Sequence, residues 1–504
     1  MAKIPTYIPN PFAEENGFLQ MPQEKAPLPS YEAVRDRLPK PFWMDHPATI
    51  ACYWKTWEIA FRNLRQPVPG TRFVSNFIDT AFNDCIFMWD TTFIEMFTRY
   101  GSRAFNFQRT LDNFYACQHP DGFICREIYE PDSEDHFERF DPVSTGPNVM
   151  PWAEWEYYLS FGDKERLKRV FPPLVAYYQW FRQYRTWPDG SYWSSGWGCG
   201  MDNQPRLLNQ PSWQYVSFCP DGMTWVDTCL QQVLAARLLL QMADALGRGE
   251  EVRDLKDEAE LLSRFVNHHL WDDSQAFYFD RWRDGCLSGV KTIGAYWALL
   301  AGVVPAGRLR RFTDHLHNPA EFNRPHRVPS LSANTPGYSP EGTYWLGGVW
   351  APTNYMVLRG LTQVGQDDLA YEIAVNHLDN VVEVFRNTGT VWENYAPESA
   401  SQGNIAKPDF VGWTGLPPVA VFFEYLLGIQ PDVPHGCLRW EVRQIEEHGI
   451  RDYPYGEGGL VDLSCARRNS EMDEPEISLR SNVPVDVLVK WKGGSKTLKI
   501  ASGE

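Results

Sequence analysis

The chain lacks several common signatures of function, and each absence narrows the field. Its ten cysteines include no Cys-x-x-Cys pair and no Cys/His cluster at zinc spacing. No metal is therefore expected, and no organic cofactor is suggested either. There is no run of about 18 apolar residues, and no apolar stretch of signal length follows Met1-Ala2-Lys3-Ile4-Pro5. Those absences argue against a membrane partner and place the expected compartment in the cytoplasm, where Cys52, Cys117 and Cys229 would be small buried hydrophobes. Basic residues are in deficit: 47 Lys and Arg face 64 Asp and Glu, for a net charge of −17. Nucleic-acid binding needs concentrated positive charge. The only brief cluster, Arg308, Arg310 and Arg311, reads as a solvated helix face. Histidine is also scarce, at 11 residues, and His119, His136 and His326 are the few that fall in long loops.

What is abundant is tryptophan, with 21 residues, many beside Gly, Pro and Asp rather than in apolar runs. Broad rings with a polar edge suit a pocket that stacks on sugar faces; a large core built with Trp would look similar. A small neutral carbohydrate fits the global charge best as partner. An oligomer is compatible with the sequence.

Residues 1–45, rich in Pro, Asn and Glu, read as an extended arm. Residues 46–428 carry a helical pattern. Apolar spacing of three and four predicts helices over 48–65, 88–99, 103–117, 147–160, 163–183, 222–246, 248–270, 291–301, 306–316, 347–364, 366–387 and 413–428. Phe171-Pro172-Pro173 is expected to break the fifth. The twelve form six pairs, in which short joints such as Gly101-Ser102, Gly162-Asp163 and Gly365-Gln366 alternate with long loops. Long loops in a compact domain are usually functional. This alternation predicts a mainly α fold, an (α/α)6 barrel with its long loops at one end; an open helical solenoid is the alternative. Residues 429–504 change character. Leu438–Val442, Gly459–Leu463 and Val485–Trp491 alternate apolar and polar residues, which predicts a small β unit.

Two loops carry carboxyls in aromatic surroundings. One is Cys199-Gly200-Met201-Asp202-Asn203-Gln204-Pro205-Arg206, after a stretch dense in Gly, Trp and Ser. The other is Val391-Trp392-Glu393-Asn394-Tyr395. Paired carboxyls are the minimal equipment for cleaving a glycosidic bond. Asp202 could instead form an Asp turn, and Glu393 could be a surface glutamate; Glu398 and Asp409 compete with Glu393. Asp90, in Phe87–Phe93, could cap a helix. Arg126 and Arg206 are candidates to line the pocket, to hold a substrate carboxylate or to keep a catalytic carboxyl ionised; a structural ion pair is the plainer use. The glycines of Glu341–Asn354 allow backbone to approach a ligand beside Trp345 and Trp350, or allow helices to pack closely.

These segments, in order, resemble the trehalase and glycoside hydrolase family 63 enzymes, including their mannosylglycerate-hydrolase-like members. Trp89-Asp90 resembles the segment that holds the nonreducing sugar. Gly200-Met201-Asp202 resembles the general-acid segment. Trp345 to Pro352 resembles the Trp-rich loop. Glu393-Asn394-Tyr395 resembles the general-base segment, and Phe410 to Thr414, with Trp413, the Phe-Gly-Trp-Thr segment after it. The resemblance spans roughly residues 80 to 428. It implies substrate contacts from Trp89, Asp90, Gly200, Trp345, Trp350, Tyr395 and Trp413, with Asp202 as acid and Glu393 as base. Asp141–Pro147 stands where trehalases carry an Arg-Ser-Gln-Pro-Pro-like segment, and Ser399 to Lys407 replaces their Gly-rich stretch. These departures point away from trehalose and towards another α-glucoside, an α-mannoside or a glycosyl-glycerate, cleaved with inversion. A sugar epimerase on the same barrel would want pocket histidines. A silent carbohydrate-binding protein would keep the tryptophans without needing both carboxyls.

Overall fold

The computed structural model describes residues 8–206 and 222–501. The first seven residues of the expected arm, the end of the loop expected over 184–221 and the last three residues lie outside that range.

Twelve helical segments appear where the spacing predicts them. They are α1 (Pro47–Arg62), α2 (Met88–Thr98), α3 (Thr110–Ala116), α4 (Met150–Phe161), α5 (Lys164–Tyr184), α6 (Val226–Leu246), α7 (Asp254–His269), α8 (Trp297–Leu300), α9 (Ala306–Thr313), α10 (Ala351–Gln363), α11 (Asp367–Thr388) and α12 (Leu416–Leu426). Helix α7 shows why apolar spacing is informative: its buried residues are Leu255, Ala259, Leu262 and Val266, a single stripe. Helix α6 is buried on nearly every side, from Val226 to Ala243. A helix apolar all round must be surrounded, so α6 is internal and α7 external. The packing agrees. Helices α2, α4, α6, α8, α10 and α12 each lie against the next, and α12 returns to α2, closing a ring. Around it, α3, α5, α7, α11 and α1 pack on ring members. Gly162 adopts the left-handed conformation at the α4 C-cap, and Asp163 caps α5 by accepting from the Arg166 amide at 2.8 Å.

Two expectations need correction. Helix α5 runs unbroken through Pro172 and Pro173. The carbonyls that lose amide partners belong to Lys168 and Arg169, both exposed, where water can serve them. Helix α12 is a π-helix, fully buried. It carries Glu424, which accepts hydrogen bonds from Arg99 (2.7 Å), Tyr100 (2.8 Å), Tyr355 (2.9 Å) and Arg359 (2.9 Å), tying the turn after α2 to α10 and α12.

The strands expected after residue 428 are present. Sheet one joins β1 (Lys40–Trp43), contributed by the N-terminal segment, to β4 (His448–Pro454), β5 (Leu460–Cys465) and β6 (Ile477–Ser481), all antiparallel. Sheet two orders β8 (Gly494–Ile500), β7 (Val485–Trp491), β3 (Cys437–Glu441) and β2 (Ile429–Asp432), with β7 and β3 parallel. Alternate residues of β5 and β7 are buried, as their pattern requires. The N-terminal segment is thus not only an arm: it supplies an edge strand. Among the described residues, no helix is long and apolar enough to cross a membrane.

Candidate active site

The ring helices α2, α4, α10 and α12 begin at one end of the body, and a cavity of about 380 Å³ lies there. Trp89 and Asp90 enter it from the first turn of α2, Gly146 and Pro147 from just before α4, Trp345 from before α10, and Trp413 from before α12. Helix N-termini favour negative charge and ionised carboxyls nearby. Arg126, Glu127, Trp197, Gly200, Asp202 and Tyr344 complete the polar and aromatic walls.

Asp202 sits in a turn built by its own loop. Gly200 has φ +76°, and a Cβ there would stand 3.1 Å from the Trp89 indole, so only glycine brings this backbone against the ring. Beyond Asp202 the loop is fastened at two points. The Trp345 amide donates to Asn203 Oδ1 at 2.8 Å, and Gln204 Nε2 donates to the Ser330 carbonyl at 2.6 Å. Burial pushes the Asp202 carboxyl up to about 6; Arg126 opposes that shift and Glu127 adds to it.

Glu393 is 3% exposed and is not on the cavity surface itself, whereas Tyr344 and Trp413 beside it are. Its loop is held by the backbone. The Glu393 amide donates to the Lys407 carbonyl, and the Lys407 amide donates to Glu393 Oε2, both at 3.0 Å. Trp413 Nε1 donates to the Glu393 carbonyl at 3.0 Å. Tyr344 is a further hydrogen-bond partner of this carboxyl. Burial raises the carboxyl to about 7, against the Lys407 amide and Tyr344, and the charge of Asp202 raises it further. Burial and the like charge thus outweigh the polar contacts that favour the ionised form. Asp90 is driven well above the usual carboxylate range by burial, and the charges of Glu127, Glu393 and Asp202 push the same way. It is not an N-cap: that position is Phe87, with no side-chain cap.

Of the residues the sequence singled out, Trp89, Asp90, Arg126, Gly200, Asp202, Trp345 and Trp413 share the cavity. Three substrate-binding candidates do not. Arg206 is 1% exposed and grips Asp227 (2.6 and 3.0 Å) and Asp280, with its guanidinium over the Trp225 ring; it is the structural ion pair, anchoring the Asp202 loop. Trp350 stacks behind Trp345 with centroids 3.9 Å apart and planes 2° apart. Tyr395 is buried away from the cavity, its hydroxyl accepting from the Trp392 amide. Among the competitors, Glu398 is paired with Arg324 and Tyr338 and stays below the usual range, while Asp409 is exposed. Of the three loop histidines, His136 lines the cavity; His119 pairs with Asp135 and His326 with His377.

Sequence reasoning missed Tyr344, Glu127 and Trp197. Tyr344 has φ +55°, a strained conformation for a non-glycine residue, within reach of Asp202, Glu393 and Asp90. The Gly-rich segment around it was visible; the strain was not. Glu127 could have been suspected from its place beside Arg126, to which it is bridged at 2.6 Å.

Paired desolvated carboxyls, a further buried carboxyl and tryptophan walls at one end of a helical body are the equipment of a glycoside hydrolase. Comparison with known proteins makes that class specific. The family profile described as the mannosylglycerate hydrolase MGH1-like glycoside hydrolase domain matches residues 86–414, and the chain belongs to that family. It is similar to the mannosylglycerate hydrolase of Thermus thermophilus, with 24% identity over 355 residues, covering 58% of this chain and 85% of that one. It is also similar to the probable mannosyl-oligosaccharide glucosidase of Schizosaccharomyces pombe, 28% identical over 286 residues, half of this chain but 34% of that longer protein. The crystal structure of a family 63 mannosylglycerate hydrolase from Thermus thermophilus with glucose superposes with a TM-score of 0.58 at 22% identity, over 74% of this chain and 99% of that one. The protein is a glycoside hydrolase.

Proposed function

We propose that this hydrolase cleaves a short α-glycoside with inversion, using Asp202 as general acid and Glu393 as general base. The carrying observation is the pair itself: two loops almost two hundred residues apart bring the Asp202 charge to bear on Glu393, and both carboxyls are raised towards neutrality. Inversion needs one protonated and one ionised carboxyl. Below about 6 both are protonated and no base is available; above about 7 both are ionised and no acid is available. With Oε2 engaged by the Lys407 amide, Glu393 Oε1 would be the acceptor to which an attacking water donates. Asp90 would hydrogen-bond a sugar hydroxyl, and Trp89 would pack on the ring face.

Arg126 supports an acidic aglycone. It holds Asp202 towards the ionised form. A substrate carboxylate that took up the Arg126 charge would release Asp202 to rise and keep its proton, arming the acid only when such a substrate is bound. A glycosyl-glycerate fits; the similar proteins include a mannosylglycerate hydrolase as well as oligosaccharide glucosidases. The closed helix ring supports reading residues 46–428 as an (α/α)6 barrel, flanked by the segment 1–45 and the β unit 429–504.

One observation favours a second reading. Glu393, at about 7, holds its proton longer than Asp202, at about 6. In the empty site that order suits Glu393 as acid and Asp202 as base. Azide rescue separates the two. In an inverting site, azide replaces the water that the missing base would activate. Rescue of Glu393→Ala but not Asp202→Ala supports the first reading, and the reverse supports the second. The function itself is tested by a screen of α-glucosides, α-mannosides and glycosyl-glycerates; no turnover of any of them would refute it.

A further inference from the structure

Beside the sugar cavity, the fold assembles three metal-ligating side chains that the sequence spacing gave no reason to group. Cys85 lies on a short strand, Cys85–Phe87, paired antiparallel with Glu127–Tyr129. His136 follows on the loop beyond and donates its amide to the Glu127 carbonyl at 3.1 Å. Cys85 Sγ and His136 Nδ1 are 3.5 Å apart, and His136 Nδ1 is 3.8 Å from Glu127 Oε2. All three ligand atoms fall within 4.8 Å of one another, the one such grouping among the described residues.

We propose that Cys85, Glu127 and His136 form a binding site for a thiophilic divalent cation of the zinc class, set in the wall of the cavity. The ligand set is one argument. Thiolate, imidazole and carboxylate together suit zinc, whereas calcium and magnesium take oxygen ligands. The spacing is another. Zinc bonds of about 2.3 Å to sulfur and about 2.05 Å to nitrogen, in tetrahedral geometry, separate those two atoms by about 3.6 Å. The distance seen is 3.5 Å, and the carboxylate needs to close by only about half an ångström on the imidazole.

The surroundings orient the ligands as metal sites require. Tyr129 stacks on the His136 ring at 4.7 Å, fixing its plane. Arg126 holds Glu127 through Oε1 at 2.6 Å, which leaves Oε2 towards His136. The nearby carboxylate of Asp84 adds negative charge around Cys85. On binding, the Sγ–H bond gives way to a sulfur–metal bond and the proton passes to solvent. Glu127 and His136 also line the cavity, so the fourth coordination position is within reach of water or of a hydroxyl on a bound sugar.

The test is titration of the full-length protein with Zn²⁺ by calorimetry and with Co²⁺ by absorbance. The expected result is one equivalent per chain with a thiolate-to-cobalt charge-transfer band. Cys85→Ser should lose that band, and His136→Gln should bind at least tenfold more weakly. Because Cys85 is fully buried, its variant is checked by thermal melting. His136, half-buried, provides the test if the serine variant does not fold. Cys286→Ser, at an exposed cysteine, should bind like the wild type. Absence of stoichiometric binding, unchanged binding in His136→Gln, or loss of binding in Cys286→Ser would overturn the proposal.

Discussion

Replacing Glu393 by Gln separates what this carboxyl does for turnover from what it costs the fold. The amide keeps the size of the side chain, and its oxygen can still accept the Lys407 amide that Glu393 Oε2 accepts at 3.0 Å. What disappears is a charge in a nearly dry position. Burial and the Asp202 charge raise this group from 4.5 to about 7, which corresponds to a penalty of about 3 kcal/mol on the charged form. The sign follows from the direction of the shift. Below about 4.5 the carboxyl is neutral in both folded and unfolded chains, and wild type and variant should be equally stable. As pH rises through about 7 the unfolded chain has already ionised and the folded one is forced to, so stability is lost. At pH 8.5 the variant should therefore be the more stable protein, by up to about 3 kcal/mol. Turnover of natural glycosides should fall by roughly a hundred- to ten-thousandfold at every pH. Melting curves across pH 4.5 to 8.5, with rates measured on the same samples, give both readouts. Equal melting at pH 8.5 would refute the desolvation argument, and turnover within tenfold of wild type would remove Glu393 from the chemistry.

Asp202→Asn should leave the fold intact and lower turnover by several orders of magnitude. In the wild type, activity should peak between about 6 and about 7; a profile still rising at pH 9 would contradict the paired-carboxyl account. Arg206→Met should destabilise rather than alter specificity, because it leaves Asp227 and Asp280 buried without their counter-ion, a loss of about 3–5 kcal/mol; a soluble variant with unchanged melting would mean those charges are relieved otherwise. Gly200→Ala places a Cβ 3.1 Å from the Trp89 indole at φ +76°, and kcat/KM should drop at least tenfold while melting changes little, because the loop that positions Asp202 must shift; unaltered kinetics would show that the close approach is incidental.

How much of this was legible in the sequence depends on the scale of the interaction. Helices could be placed because their signal is local. The stripe Leu255, Ala259, Leu262, Val266 identifies an outer helix without any tertiary knowledge. The persistence of α5 through two prolines was not readable, because it depends on which carbonyls meet water. The π-character of α12 was equally hidden. In the site, Asp202 and Glu393 were visible as carboxyls in aromatic loops. Arg206 was misread because its partners Asp227 and Asp280 are 21 and 74 residues away, beyond any local pattern. Trp350 belonged to a promising motif, yet only its neighbour Trp345 reaches the cavity. The Cys85, Glu127 and His136 cluster was invisible for the same reason: strand register, not spacing, brings it together.

The central claim is hydrolysis with inversion by the Asp202 and Glu393 pair. Its most direct test is proton NMR of the sugar released in the first minutes from an α-glycoside that the enzyme turns over, a glycosyl-glycerate first, before mutarotation mixes the anomers. The account predicts that the β-anomer appears first and the α-anomer only later, at the rate of spontaneous mutarotation. Immediate release of the α-anomer would mean retention, which calls for a closer carboxyl pair and a covalent intermediate, and would contradict the roles assigned to both residues.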